Sequence, residues 1–97
     1  MPISLGVTVD KYKGYHYFVC DITTANHKKP YVAVAKNDQR VARIYLQTRV
    51  VEFYQHTPKE VSDDRKTLET WITKERNWLD AKKAWNSLNP DYRMDCP

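Results

Sequence analysis

The chain has 97 residues, of which 41% are hydrophobic, 29% charged and 12% aromatic, and it carries a formal net charge of +4. That length suits one domain with a single thin core and excludes two, and the composition is that of a folded chain rather than a disordered one. No apolar run approaches the roughly 20 residues of a membrane helix, and the N-terminus has no basic start leading into an apolar stretch, so a soluble, cytoplasmic protein is expected.

Strand patterning occupies about residues 3 to 54. Leu5, Val7 and Val9 alternate with Gly6, Thr8 and Asp10, and Lys11 to Gly14 supplies a turn. In the next strand, YHYFVCDIT, alternation puts His16, Phe18, Cys20 and Ile22 on one side, expected to face the core. Tyr15, Tyr17, Val19 and Asp21 fall on the other. After the loop TANHKKP, Pro30 marks the start of a third strand, because proline cannot donate to a ladder. Val32 and Val34 there oppose Tyr31, Ala33 and Ala35. KNDQ is a tight turn, since Asn37 and Asp38 tolerate left-handed backbone. The fourth strand sets Ala42, Ile44 and Leu46 against Val41, Arg43, Tyr45 and Gln47, and RVVEFY extends the sheet. Four to five strands joined by short turns describe an antiparallel β-meander.

TPKE at residues 57 to 60 is a helix start, with Thr57 as cap, Pro58 at the first helical position and Glu60 completing a capping box. Asn89 and Pro90 stop the helix and leave residues 89–97 as a tail expected to be mobile. A helix over about 58–88 would be a rod of roughly 45 Å, long for so small a sheet. Ser62, Asp63 and Asp64 are the weak point, but the preferred reading is one continuous helix with a weak first turn. Trp71, Trp78 and Trp85 fall on nearly one line, with Leu68, Ile72, Leu79 and Leu88 beside them. Glu69, Lys74, Arg76, Asp80 and Lys83 take the opposite side. The tryptophan stripe is therefore the inner face of an amphipathic helix, and the expected fold is α+β: a β-meander covered on one face by a long C-terminal helix, in a single domain spanning 1–97.

For chemistry the chain offers little. Cys20 lies in a strand and Cys96 in the polar tail, an unlikely disulfide pair that fits a reducing compartment. His16, His27 and His56 lack metal spacing, and His16 sits on the expected core side. Asp63 and Asp64 are explained by the field at a helix start, as Lys82 and Lys83 are near its end. With no nucleophile elbow, P-loop or dinucleotide fingerprint, neither enzyme nor cofactor nor metal is expected. The alternation gathers Tyr15, Tyr17, Tyr31, Arg43, Tyr45 and Arg49 on the sheet face away from the helix, residue types that suit contacts with a protein partner. The same face, with Lys28, Lys29, Arg40, Arg43 and Arg49, would alternatively bind nucleic acid. No membrane contact is expected, and self-association is left open.

The layout resembles a family of small bacterial proteins, domain-of-unknown-function family 4160, often found beside toxin–antitoxin-like partner genes. Its members carry a Pro-His-aromatic-His-Val strand, a hairpin and a helix with a Trp-Ile, Leu, Trp pattern. Here Trp71 and Ile72, then Leu79, then Trp85 match the helix, and Pro30 and Val34 match the strand, over about residues 26–88. Tyr31 and Ala33 stand at the two histidine positions, so no metal or acid–base role carries over. The resemblance implies a non-enzymatic accessory protein, antitoxin-like or a phage or mobile-element inhibitor, acting through a protein partner.

Overall fold

A computed structural model describes residues 6–20 and 29–89. Five strands, β1 (Gly6–Tyr12), β2 (Tyr15–Cys20), β3 (Tyr31–Lys36), β4 (Gln39–Tyr45) and β5 (Val51–Phe53), form one antiparallel sheet in chain order. Three helices follow: α1 (Lys59–Ser62), α2 (Arg65–Thr73) and α3 (Glu75–Leu88). The α+β architecture is as the sequence predicts. Among the described residues, no helix is long and apolar enough to cross a membrane.

The β1–β2 and β3–β4 turns are two-residue loops with positive φ at each central residue, Lys13 (52°) and Gly14 (85°) in one and Asn37 (53°) and Asp38 (62°) in the other. That backbone matches the twist of the flanking strands, so each turn fixes the register of its hairpin.

Two rows across the sheet define its faces. Asp10, Tyr17, Val34, Ala42 and Phe53 lie side by side under the helices, while Thr8, Phe18, Ala33, Arg43 and Glu52 form a row on the outer face. The expected side of β2 is thus inverted: Tyr15, Tyr17 and Val19 face the helices, and His16 and Phe18 face outward. Both sides of β2 are apolar enough to be core, so alternation alone could not choose. Pairing of Tyr17 with Val34 decides it. Phe18, Cys20, Ala33 and Ala35 are nonetheless buried, so β2 and β3 are covered on both faces.

A bulge between Thr8 and Asp10 inserts Val9 into β1. The extra residue turns Asp10 onto the helix side, where its Oδ2 accepts the Trp71 indole N–H at 2.8 Å. Strict alternation had placed Asp10 opposite Val7 and Val9. A second irregularity, between Val34 and Ala35, sets Arg40 opposite Ala35, on the outer face with Arg43.

The single continuous helix is corrected to three pieces, broken at Asp63–Asp64 and at Lys74. An unbroken rod of roughly 45 Å would overshoot a molecule whose longest dimension is 36 Å. At the second break Lys74 is extended (ψ 123°), and the Asn77 side-chain amide donates to the Trp71 carbonyl at 2.9 Å, a stronger bond than the 3.4 Å one the same carbonyl accepts from the Lys74 backbone N–H. The expected capping box does not form: Pro58 precedes α1 without a side-chain cap, and the Thr57 hydroxyl donates instead to the Val41 carbonyl at 2.7 Å.

Trp71, Trp78 and Trp85 are buried core residues. The Trp71 ring stacks on Tyr17 with centroids 4.0 Å apart and planes 7° from parallel. Trp78 donates its indole N–H to the Leu46 carbonyl at 2.7 Å, and Trp85 meets Tyr31 in a tilted contact at 5.7 Å. Leu79, expected beside them, points outward and is 43% exposed, while Lys82 folds its stem into the core with its ammonium over Trp78. Leu5, Asp21, Ile22, His27, Lys28, Cys96 and the tail from residue 90 onward lie outside the described residues.

Candidate functional site

The six residues expected to form an open aromatic and basic face are dispersed. Tyr15, Tyr17 and Tyr31 are buried, the first two beneath the helices. The Tyr15 hydroxyl donates to Asp64 at 2.8 Å, and burial followed by this acceptor holds its phenol well above the usual range. Tyr31, at the start of β3, accepts from Arg40 at 3.3 Å.

Arg43, Tyr45 and Arg49 keep partial exposure, but each is engaged within the chain. Arg43 Nε lies 3.2 Å from Glu52 Oε1, an ion pair whose angle falls short of a hydrogen bond, and the guanidinium sits over the Tyr54 ring. The Tyr45 hydroxyl donates to the same carboxylate oxygen at 3.1 Å. Arg49 pairs with Glu75 at 3.1 Å and covers the Trp78 ring at 4.6 Å, so it closes the core edge beside the tryptophan. Of the residues read as basic contacts for nucleic acid, Lys29 is exposed, and Arg40 is partly buried with its guanidinium over the Phe18 ring. Burial works against the charge on Arg40, yet the Tyr31 hydroxyl and the neighbouring Tyr54 outweigh it and hold the guanidinium up.

Among the described residues, His16 and His56 do not assemble a site. His16 Nε2 shares a hydrogen bond with the Thr8 hydroxyl at 2.8 Å, and burial followed by the charge on Lys11 lowers its pKa. His56 Nε2 bonds the Arg40 carbonyl at 3.2 Å and its ring stacks near Tyr54. Neither is oriented by a carboxylate, as a catalytic base would be. The Asp63–Asp64 pair is divided as well: Asp63 pairs with Lys59 on α1 at 3.1 Å, and Asp64 faces Tyr15. Among the described residues, no group of three or more His, Cys, Asp or Glu is placed to hold a metal ion.

What remains open is one edge of the sheet. Among the described residues β1 is flanked by β2 alone, and a groove of about 290 Å³ runs between it and α3, with Val7, Thr8 and Val9 on one wall and Asp80, Lys83, Ala84 and Ser87 on the other. A second groove of about 520 Å³ lies along α3 from Leu79 to Ser87 and shares Lys83 and Ser87 with the first. Among the described residues, Val7 and Leu79 are two of the three large hydrophobic side chains that stand exposed, and they border this pair of grooves. Val7 and Val9 read in the sequence only as one side of an alternating strand. The usable signal was topological, because the first strand of a meander has only one neighbour.

Comparisons with family models, curated proteins and solved structures give no match to this chain.

Proposed function

We propose that this chain is a small, non-enzymatic interaction module that binds a protein partner by adding an extended segment of it to β1. The carrying observation is the β1 edge: a strand with one neighbour, an exposed Val7, and an adjoining groove against α3. An added strand would take its affinity from main-chain hydrogen bonds along the edge, while alternate side chains entering the groove would give selectivity. Val7, Val9 and Ala84 favour apolar side chains there, and Asp80 and Lys83 on the groove wall favour polar ones at the mouth. An antitoxin-like or phage-inhibitor role, which the family resemblance implies, suits a module of this kind.

The test is selection of short extended peptides from a displayed library, followed by amide chemical-shift mapping on the full chain. The largest shifts are expected at Gly6–Tyr12 and at the groove-facing turn of α3, with binding lost in Val7→Asp. A library that yields no binder, or binders mapping to the outer face of β4 and β5, overturns this reading.

A further inference from the structure

At the end of the sheet where the β1–β2 and β3–β4 turns lie side by side, we infer a second binding site, one that takes the phosphates of a single-stranded nucleic acid. Its residues are distinct from those lining the groove between β1 and α3. The lysines Lys11, Lys13, Lys36 and Lys74 gather here from four segments of the chain. Lys11 is on β1 opposite His16, Lys13 is in the first turn, Lys36 ends β3 before the second turn, and Lys74 is the extended residue between α2 and α3.

None of the four has a carboxylate partner among the described residues, whereas Arg43, Arg49, Lys59 and Arg65 all do. Three are instead held by aromatic rings. The ammonium groups of Lys13 and Lys74 lie 5.4 and 5.6 Å from the Tyr12 centroid, and that of Lys36 lies 5.0 Å from the Tyr15 centroid. A ring face positions a cation without neutralising it, so the charge stays available to a ligand.

The acids on the same segments have partners of their own, and Glu75, beside Lys74 in sequence, pairs with Arg49. Asp10 accepts from the Trp71 indole and from the Lys11 backbone, and Asp64 accepts from Tyr15. Asp38, in the second turn, is the one exposed carboxylate on the groove of about 330 Å³ that opens between the hairpins.

The lysines are distributed round the end of the sheet rather than focused on one point. Tyr12 and Tyr15 pair on the helix side and Lys11 lies in the outer row, with the turns between them. A compact anion would meet only part of that arc. A strand carrying a phosphate at every nucleotide complements the whole of it, and His16, partly exposed on the groove wall, offers a ring on which a base can stack.

Fluorescence anisotropy with an oligouridylate probe tests the proposal. Binding is expected at low ionic strength and should fall steeply as salt rises, because each phosphate contact releases counterions. Lys11→Ala, Lys36→Ala and Lys74→Ala should each weaken it several-fold and flatten the salt slope by about 0.7. Lys13→Asn should do the same and keeps the left-handed backbone. Asp38→Asn should tighten binding, Lys66→Ala should leave it unchanged, and Val7→Asp, which removes peptide binding, should leave it intact. Circular dichroism of each variant separates lost contacts from lost fold. Absence of binding at low salt, survival of binding in the fourfold variant, or binding of inorganic polyphosphate but not of the oligonucleotide would overturn the assignment.

Discussion

Tyr15 and Tyr17 share one face of β2 but differ in what their hydroxyls do. Tyr15 donates to Asp64 at 2.8 Å, whereas the Tyr17 hydroxyl is buried with no hydrogen-bond partner among the described residues. Its ring does the binding, flat against Trp71. Removing one partner of a hydrogen bond and removing an unpartnered hydroxyl have opposite signs. Tyr15→Phe is therefore expected to cost about 1 kcal/mol and Tyr17→Phe to be neutral or slightly stabilising, measured as shifts in urea midpoint at constant slope. A large loss in Tyr17→Phe would mean that its hydroxyl is bonded after all. The identity of these tyrosines as core residues was not legible in the sequence. Phe18 and Cys20 compete with them for the same side, and the tie is broken only by the neighbouring strand.

Strands and helix limits are the elements the sequence made legible. Five segments, two tight turns, a start near Pro58 and a stop at Asn89 all follow from local chemistry, and the structure has each of them. Local chemistry was silent on the break at Lys74, because the residues from Leu68 to Trp85 keep helical spacing straight through it. The chain bends there because two helices must reach different parts of a short sheet: α2 brings Trp71 to Asp10, and α3 carries Trp78 to Leu46 and Asn89 to Cys20. Asn77 is the residue that stabilises the bend, through its bond to the Trp71 carbonyl. Asn77→Ala is expected to lower stability by about 1 kcal/mol, read from denaturant unfolding. An unchanged midpoint would show that packing alone sets the angle. The bulge at Val9 escaped the sequence for a similar reason, since GVTVD alternates without a flaw and only the partner strand reveals the extra residue. The β1 groove is not legible for the same reason: alternation groups Val7 and Val9 on one side without saying that α3 leaves a gap beside them.

Over the whole molecule, burial of the two phenols couples folding to alkaline pH. Both pKa values lie above 10.0, for Tyr15 through burial, then the hydrogen bond and charge of Asp64, and for Tyr17 through burial, then the neighbouring tyrosines and Asp10. In the unfolded chain these groups ionise near their ordinary value of about 10 while the native chain keeps its protons, so the native state binds more protons there. Their contribution is fully present below that pH and is lost as pH rises through and beyond it. Urea midpoints measured from about pH 8 to about pH 11 should fall at the alkaline end, and the Tyr15→Phe/Tyr17→Phe variant should fall less. Parallel decline in both proteins would assign the effect to other groups. The strand order has a further consequence, in time rather than in space. Each ladder joins chain neighbours, and three of the four can zip from a short connection, whereas the helical layer must bridge the 61 residues from Asp10 to Trp71 and the 69 from Cys20 to Asn89. Loop-closure entropy is thereby concentrated in one late step, the docking of the tryptophans, and until that step is complete the forming sheet exposes the whole apolar row from Tyr17 to Phe53 to any other chain it meets.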